Sequence, residues 1–528
     1  MSGFHWLDEL GRRLEDDHIL VSRDTPVDLA PAYLLGLDVE DWARAGAALQ
    51  ALGCRFVGLW GDPDGDKVSV YASVEHQGDY LVLATEVALS HPVIASLTPN
   101  FAGANRLERH LQDLLGITFL DQPDARRWTR HQAWASGRYP LRDDFPAAGD
   151  APRRAPADVD YPFRRIQGSG VLEIPVGPVH AGTIEPGHFR IQAVGEEVLS
   201  LETRLGYVHK GVEKIAVGRG PDALARLAGR VSGDATVAHT WAACQAMERA
   251  VACTVPPRAV MLRALLCERE RVANHLGDIG AVCNDVGFAF ANVQCARLRE
   301  QWQRRSRELF GHRFMMDVVV PGGVSLDLAA EQTGQLRADH DALRRAIVPL
   351  FDVIGDHPSL DDRLLGTGRL SADDARALGC TGYVGKASGQ AFDVRRDCAY
   401  APYDNVTPEV PVKTEGDVAA RVAVRMEEVR TTLALMDRLL EQLPPGPHRV
   451  PLPQPPAGAA GIGSVESWRG EVFTFVRFDD QGRVARFFPR DPSWFTWPAL
   501  ERLIDGNIVP DFPVCNKSVN ASYSGSDL

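Results

Sequence analysis

The stretch from Pro146 to Pro162 reads Pro-Ala-Ala-Gly-Asp-Ala-Pro-Arg-Arg-Ala-Pro-Ala-Asp-Val-Asp-Tyr-Pro, with four prolines and no apolar period. Proline lacks an amide proton and fixes φ, so neither a helix nor a central strand can run through it. The segment is therefore predicted to be a linker over 147–162, between a domain at 1–146 and a larger one at 163–528. Each side is long enough to bury a core of its own.

The periodicity differs on the two sides. Upstream, 39–52 has helical spacing, and Val68–Ser73 and Asp79–Thr85 alternate as strands do. Downstream, short β-like runs at 170–176, 189–194 and 197–203 give way to helices, one opened by Pro221-Asp222. Val260, Leu262, Leu265, Leu266, Val272, Leu276 and Ile279 form one apolar stripe over 258–282. Val422, Met426, Val429, Leu433, Met436, Leu440 and Leu443 form another over 417–443, stopped by Pro444-Pro-Gly-Pro447. Both are read as bundle core. Val472–Phe478 and Val484–Phe488 predict a hairpin. The expected fold class is α+β: a small N-terminal α/β sandwich-like domain joined to a large, mainly helical domain with peripheral β-segments.

Charge narrows the partners. The 57 Lys and Arg against 70 Asp and Glu leave a net −13, with no basic block, which argues against nucleic acid and anionic membrane surfaces. The best apolar window, Ala281–Val293, is cut by Asn284 and Asp285, and no apolar leader opens the chain. No direct membrane span is expected, and a cytoplasmic location is. Nine scattered cysteines without a C-x-x-C pair read as reduced thiols.

Chemistry has few footholds. Gly461-Ile-Gly463-Ser-Val-Glu466 imitates a dinucleotide loop but lacks the third glycine and a preceding strand. What remains are polar residues in Gly-, Pro- and apolar-rich segments: Gly177-Pro-Val-His180, Glu185-Pro-Gly-His188 and Gly206-Tyr-Val-His-Lys-Gly-Val-Glu-Lys214. A lone histidine there is first read as a hydrogen-bonded packing residue. Glu185, if buried, would have a raised pKa and could pass protons near neutral pH. Arg230-Val-Ser232-Gly-Asp234-Ala235, with His239, and Asn284-Asp285 add ionisable groups on apolar helices; Arg230 is a candidate partner for Asp234. Solvent-facing positions are the alternative.

These strings resemble the opening of nickel-iron hydrogenase large subunits and of the related 49-kilodalton subunit of complex I. Further blocks keep the order: Glu268-Arg-Glu-Arg-Val-Ala-Asn-His275, Pro321-Gly-Gly-Val324, Lys386 to Asp397, Arg425-Met-Glu-Glu428, Arg469-Gly-Glu471 and Arg490-Asp-Pro-Ser493. Leu107-Glu-Arg109, Asp113 to Ile117, Pro123 to Arg127 and Pro140 to Pro146 resemble the 30-kilodalton subunit of complex I. The whole is similar to a fusion of the two, as in energy-converting hydrogenases.

The departures decide the expected chemistry. In that family two C-x-x-C pairs hold nickel and iron; the matching positions here are Ser232 and Ala235, then Cys515 and Ser518. One thiol, two hydroxyls and a methyl cannot replace four thiolates, so no nickel-iron hydrogen chemistry and no metal are expected. Glu213 matches a carboxylate near magnesium, but the family's terminal histidine is missing. Met315 and Gly233 stand where complex I has a cluster-side histidine and a quinone-binding tyrosine. The resemblance makes Glu185, Asp285, His239 and His188 the expected proton-handling residues. Ser232, Ala235, Cys515 and Ser518 are expected to line the vacated pocket. It implies no cofactor held by this chain, an iron-sulfur cluster in a partner small subunit, a possible quinone, and antiporter-like and other membrane subunits. The expected place is peripheral to the inner (plasma) membrane, attached through those subunits. The alternative is a redox-inactive coupling scaffold in the same complex.

Overall fold

The computed structural model describes residues 6–22, 27–149, 160–180 and 184–528. Most of the predicted linker, 150–159, lies outside them. The N-terminal unit is a five-stranded sheet in the order Val21–Ser22, Tyr33–Leu37, Asp79–Ala88, Lys67–His76, Arg55–Asp64. Only the Tyr33–Leu37 and Asp79–Ala88 pair is parallel. Helix Trp42–Ala51 fulfils the spacing seen over 39–52, and helix Ala104–Leu115 packs on the Arg55–Asp64 strand.

The larger unit is mainly helical. The two apolar stripes become helices Pro257–Asp285 and Val418–Glu441, which pack against each other. The apolar window at 281–293 is split between two helices, Pro257–Asp285 and Ala289–Phe310. Among the described residues no helix is long and apolar enough to cross a membrane. A separate antiparallel sheet, His188–Val194 flanked by Val171–Val176 and Glu197–Arg204, matches the three β-like runs.

The expected hairpin is a three-stranded meander, because Ala460–Ser467 pairs with Gly470–Phe478 ahead of Val484–Arg490. The glycines that imitated a nucleotide loop belong to that first strand, and the helix Thr236–Ala250 lies directly on them. A Cβ on Gly463 would stand 2.0 Å from the Ala242 carbonyl oxygen, and one on Gly461 2.2 Å from that of Ala246. These are backbone atoms and cannot swing aside. Gly463→Ala should therefore force helix and strand apart and cost about 1–3 kcal/mol or more in urea denaturation. Gly11→Ala, where nothing lies within 4 Å, should be neutral or slightly stabilising.

Charged blocks scattered through the sequence converge between the two long helices. Lys386 Nζ donates to Asp393 at 2.6 Å and to Glu428 at 2.8 Å, and Glu466 lies 3.5 Å away. Arg395 bridges Asp393 and Glu268, while Arg271 binds Glu268 and the carbonyls of Glu466 and Ser467. His275 meets Glu428 at 2.6 Å. All these side chains are at most 2% exposed. Burying that many charges is tolerable only because each is bonded to an opposite one.

The two units share a buried polar seam. Glu471 takes Arg55, Arg490 and the Tyr80 hydroxyl, and Asp62 pairs with Arg477. Trp60 stacks among Phe473, Phe475 and Phe488, with ring centroids 5.1–5.6 Å apart.

Candidate functional site

The site forms where the turn before helix Thr236–Ala250 meets the Trp468–Arg469 turn, the end of strand Val484–Arg490 and the C-terminal segment. Arg469 grips Asp234 with two bonds of 2.6 and 2.7 Å, and its Nε donates to the Asn520 carbonyl. Trp468 and Asn274 donate to the Asp234 carbonyl. Arg469, reinforced by Ser232, holds the Asp234 carboxyl below its ordinary range against the opposing effect of burial. Arg230, expected to pair with Asp234, instead binds Asp317 at 2.8 Å. The correction has a simple cause: the turn directs Asp234 inward and Arg230 to the surface.

From Asp234 a hydrogen-bonded run continues inward. Ser232 Oγ donates to Asp234 at 2.8 Å and lies 2.9 Å from Ser522 Oγ. The Ser522 amide donates to Ser493 Oγ, and the Ser493 amide to Asp491. Asp491 then meets His239 Nε2 at 2.8 Å. His239 and Arg469 hold the Asp491 carboxyl far below its usual range although it is fully buried. His239 Nδ1 has no partner among the described residues. A Cβ on Gly525 would lie 2.5 Å from Asp491 Cγ, so that position admits only glycine.

Glu185 lies outside that run, against the C-terminal segment. Its Oε2 accepts from the Ser524 amide at 2.8 Å, and Lys210 Nζ donates to the Ser524 carbonyl, the Ser524 hydroxyl and the Val231 carbonyl. Glu185 is exposed, so the burial on which its expected proton-passing role depended is absent. The buried carboxyl beside it is Asp527, which burial pushes up to about 7. Asp527 Oδ1 accepts from the Gly206 amide, and its Oδ2 has no partner among the described residues.

The other expected residues are placed differently. His188 is buried with both ring nitrogens engaged, Nδ1 with the Gly177 carbonyl and Nε2 with Arg190. That geometry fixes the loop and leaves no free nitrogen for proton transfer. Asp285 ends its helix exposed, faces Lys517, and makes no hydrogen bond among the described residues. Ala235 is buried at the start of helix Thr236–Ala250. Ser518 accepts from Arg421 Nε at 2.9 Å and donates to the Cys515 carbonyl. Cys515 Sγ packs against Gly368 beside Arg421, and burial pushes its thiol up to about 12.

This donor set does not fit nickel: its one thiol is protonated and turned toward Arg421 and Gly368. Magnesium fits no better at Glu213, because His110 takes one oxygen at 2.6 Å and Arg486 the other at 2.5 Å. Both bonds hold that carboxyl down to about 2 despite burial.

Comparison with known proteins agrees with this architecture. Residues 38–151 match the family model of the respiratory-chain NADH dehydrogenase 30 Kd subunit, 210–277 that of nickel-dependent hydrogenase, and 285–455 that of the 49 Kd subunit. Formate hydrogenlyase subunit 5 of Escherichia coli (strain K12) is 32% identical over 450 residues, covering 85% of this chain and 79% of that protein. The chain belongs to the complex I and hydrogenase large-subunit family. The carbon monoxide-induced hydrogenase of Rhodospirillum rubrum is 34% identical over 66% of this chain and 98% of that one. The C/D subunit of NADH-quinone oxidoreductase from Bacteroides thetaiotaomicron is 29% identical over 82% and 85%. A solved structure of the membrane-bound sulfane sulfur reductase, an archaeal respiratory membrane complex, superposes with TM-score 0.64 at 28% identity. It covers 68% of this chain and 99% of that one. As a member of the family, the chain is an oxidoreductase subunit that works within a complex.

Sequence reasoning does not single out Arg469, Asp491 or Asp527 as site residues. Arg469 and Asp491 stand in blocks that carry the resemblance, so a signal exists; Asp527 has none, since only folding places it under Gly206.

Proposed function

We propose that this subunit passes electrons from a partner iron-sulfur subunit to a quinone-like acceptor bound beside Glu185, without hydrogen chemistry at nickel. The observation that supports it is the polar run in place of the thiolate cage. Glu185 stands at the surface against the Ser524 amide, and behind it the Ser232–Ser522 hydroxyl pair and Ser493 lead to the buried Asp491–His239 pair. A two-electron reduction builds negative charge that positioned acids must neutralise, and the groups able to hold a proton here are Glu185, Asp527 and the Asp491–His239 pair. The names of several relatives, NADH-quinone oxidoreductase among them, are consistent with such an acceptor. On this reading the chain sits peripherally on a membrane through its neighbours.

The test uses the intact complex. Partner clusters are reduced, a short-chain quinone is added, and reoxidation is followed by electron paramagnetic resonance. Reoxidation should occur, and Glu185→Gln and Asp491→Asn should slow it roughly a hundredfold.

A second reading is a coupling scaffold. One observation favours it: Ser232, Ala235, Cys515 and Ser518 are each at most 1% exposed, and Arg469 clamps the turn that carries Ser232 and Ala235 through its bonds to Asp234. Failure of any quinone to reoxidise the clusters, with assembly intact, would establish the scaffold instead.

A further inference from the structure

Arg249, in the last turn of helix Thr236–Ala250, faces a cavity of about 340 Å³ at the seam between the two units. One wall is the 77–80 turn of the N-terminal sheet; the other is segment 397–400 with Ser464. Most charged groups around it are already bonded. Asp397 holds Arg396 with bonds of 2.8 and 2.9 Å and accepts from the Asp393 amide. Asp79 accepts from the Trp6 indole, Glu248 is paired twice with Arg263, and Tyr80 and Ser464 are turned to Glu471.

Two donors are left over. Arg249 makes one hydrogen bond, Nη1 to the Ile462 carbonyl at 2.9 Å, and has no ion-pair partner among the described residues. Tyr400 accepts from the Glu466 amide at 3.2 Å, and its own hydroxyl proton has no acceptor among the described residues. Both side chains line the cavity. A partly buried guanidinium cannot shed its proton, so it needs an anion or water to compensate it.

We propose that this inter-domain cavity binds a small monoanionic carboxylate, held by the Arg249 guanidinium and the Tyr400 hydroxyl. A planar carboxylate matches the guanidinium edge left open by Ile462. A single charge is specified because Asp79 and Asp397 line the same walls and would repel a second one. The volume admits a compact organic acid with room for a side group.

The experiment is a thermal-shift and calorimetric titration of the full-length chain with sodium acetate, sodium lactate and sodium phosphate, at constant ionic strength set with sodium chloride. Acetate or lactate should raise Tm saturably. Arg249→Met should weaken binding roughly tenfold or more, and Tyr400→Phe, which keeps the ring and its packing, several-fold. No saturable shift with either carboxylate would overturn the proposal, as would a shift unchanged in both variants. Phosphate binding more tightly than the carboxylates would overturn the single-charge assignment.

Discussion

Lys386→Met should cost about 3–5 kcal/mol of folding stability. Methionine replaces the stem with similar volume and removes only the ammonium, which lies between Asp393, Glu428 and Glu466 with no solvent access. Arg395 still serves Asp393, and His275 still serves Glu428. Glu466 is left facing the other carboxylates, and burial already pushes it up to about 7. The measurement is the urea midpoint followed by circular dichroism. A loss under about 1 kcal/mol would mean that the carboxylates take up protons with little penalty, and that the cluster does not depend on its lysine.

Glu270→Gln should change stability in a pH-dependent way. Glu270 accepts from the Val237 and Ala238 amides, yet burial, added to by nearby Asp234, lifts its carboxyl from 4.5 to about 8. A raised acid binds its proton more tightly in the folded state. Its contribution is therefore fully present below pH 4.5 and is lost as pH rises through about 8. The neutral amide has nothing to titrate. Relative to wild type, the variant should gain on the order of 3–5 kcal/mol between pH 4.5 and pH 9. Comparing the stability difference at those two pH values cancels other titrating groups, Asp527 and Glu466 included. Equal differences at both would show that Glu270 ionises freely in the fold.

Sequence alone shows the helices and strands with long, clean periods, because those periods reflect burial on one face. It also shows the blocks of the family, and with them the loss of the thiolate cage. What it cannot show depends on distance across the fold. Arg230 stands four positions from Asp234, but Asp234 is paired from the far strand turn by Arg469. Glu185 sits in an apolar-looking segment and is exposed, while Asp527, in an undistinguished tail, is the buried acid. Gly461 and Gly463 look like a loop because glycine signals both a tight turn and a close approach, and only packing against Ala242 and Ala246 separates the two.

The join between the two units carries a consequence of its own. His110 reaches across it to Glu213, Arg486 donates to the Gly61 carbonyl, and Arg490 to that of Val57. Mortise and tenon are cut as deeply as either core, since these bonds join buried side chains to one another and to backbone across the join. Two chains split within the proline run should therefore still associate, and their co-purification after co-expression is the measurement that checks it.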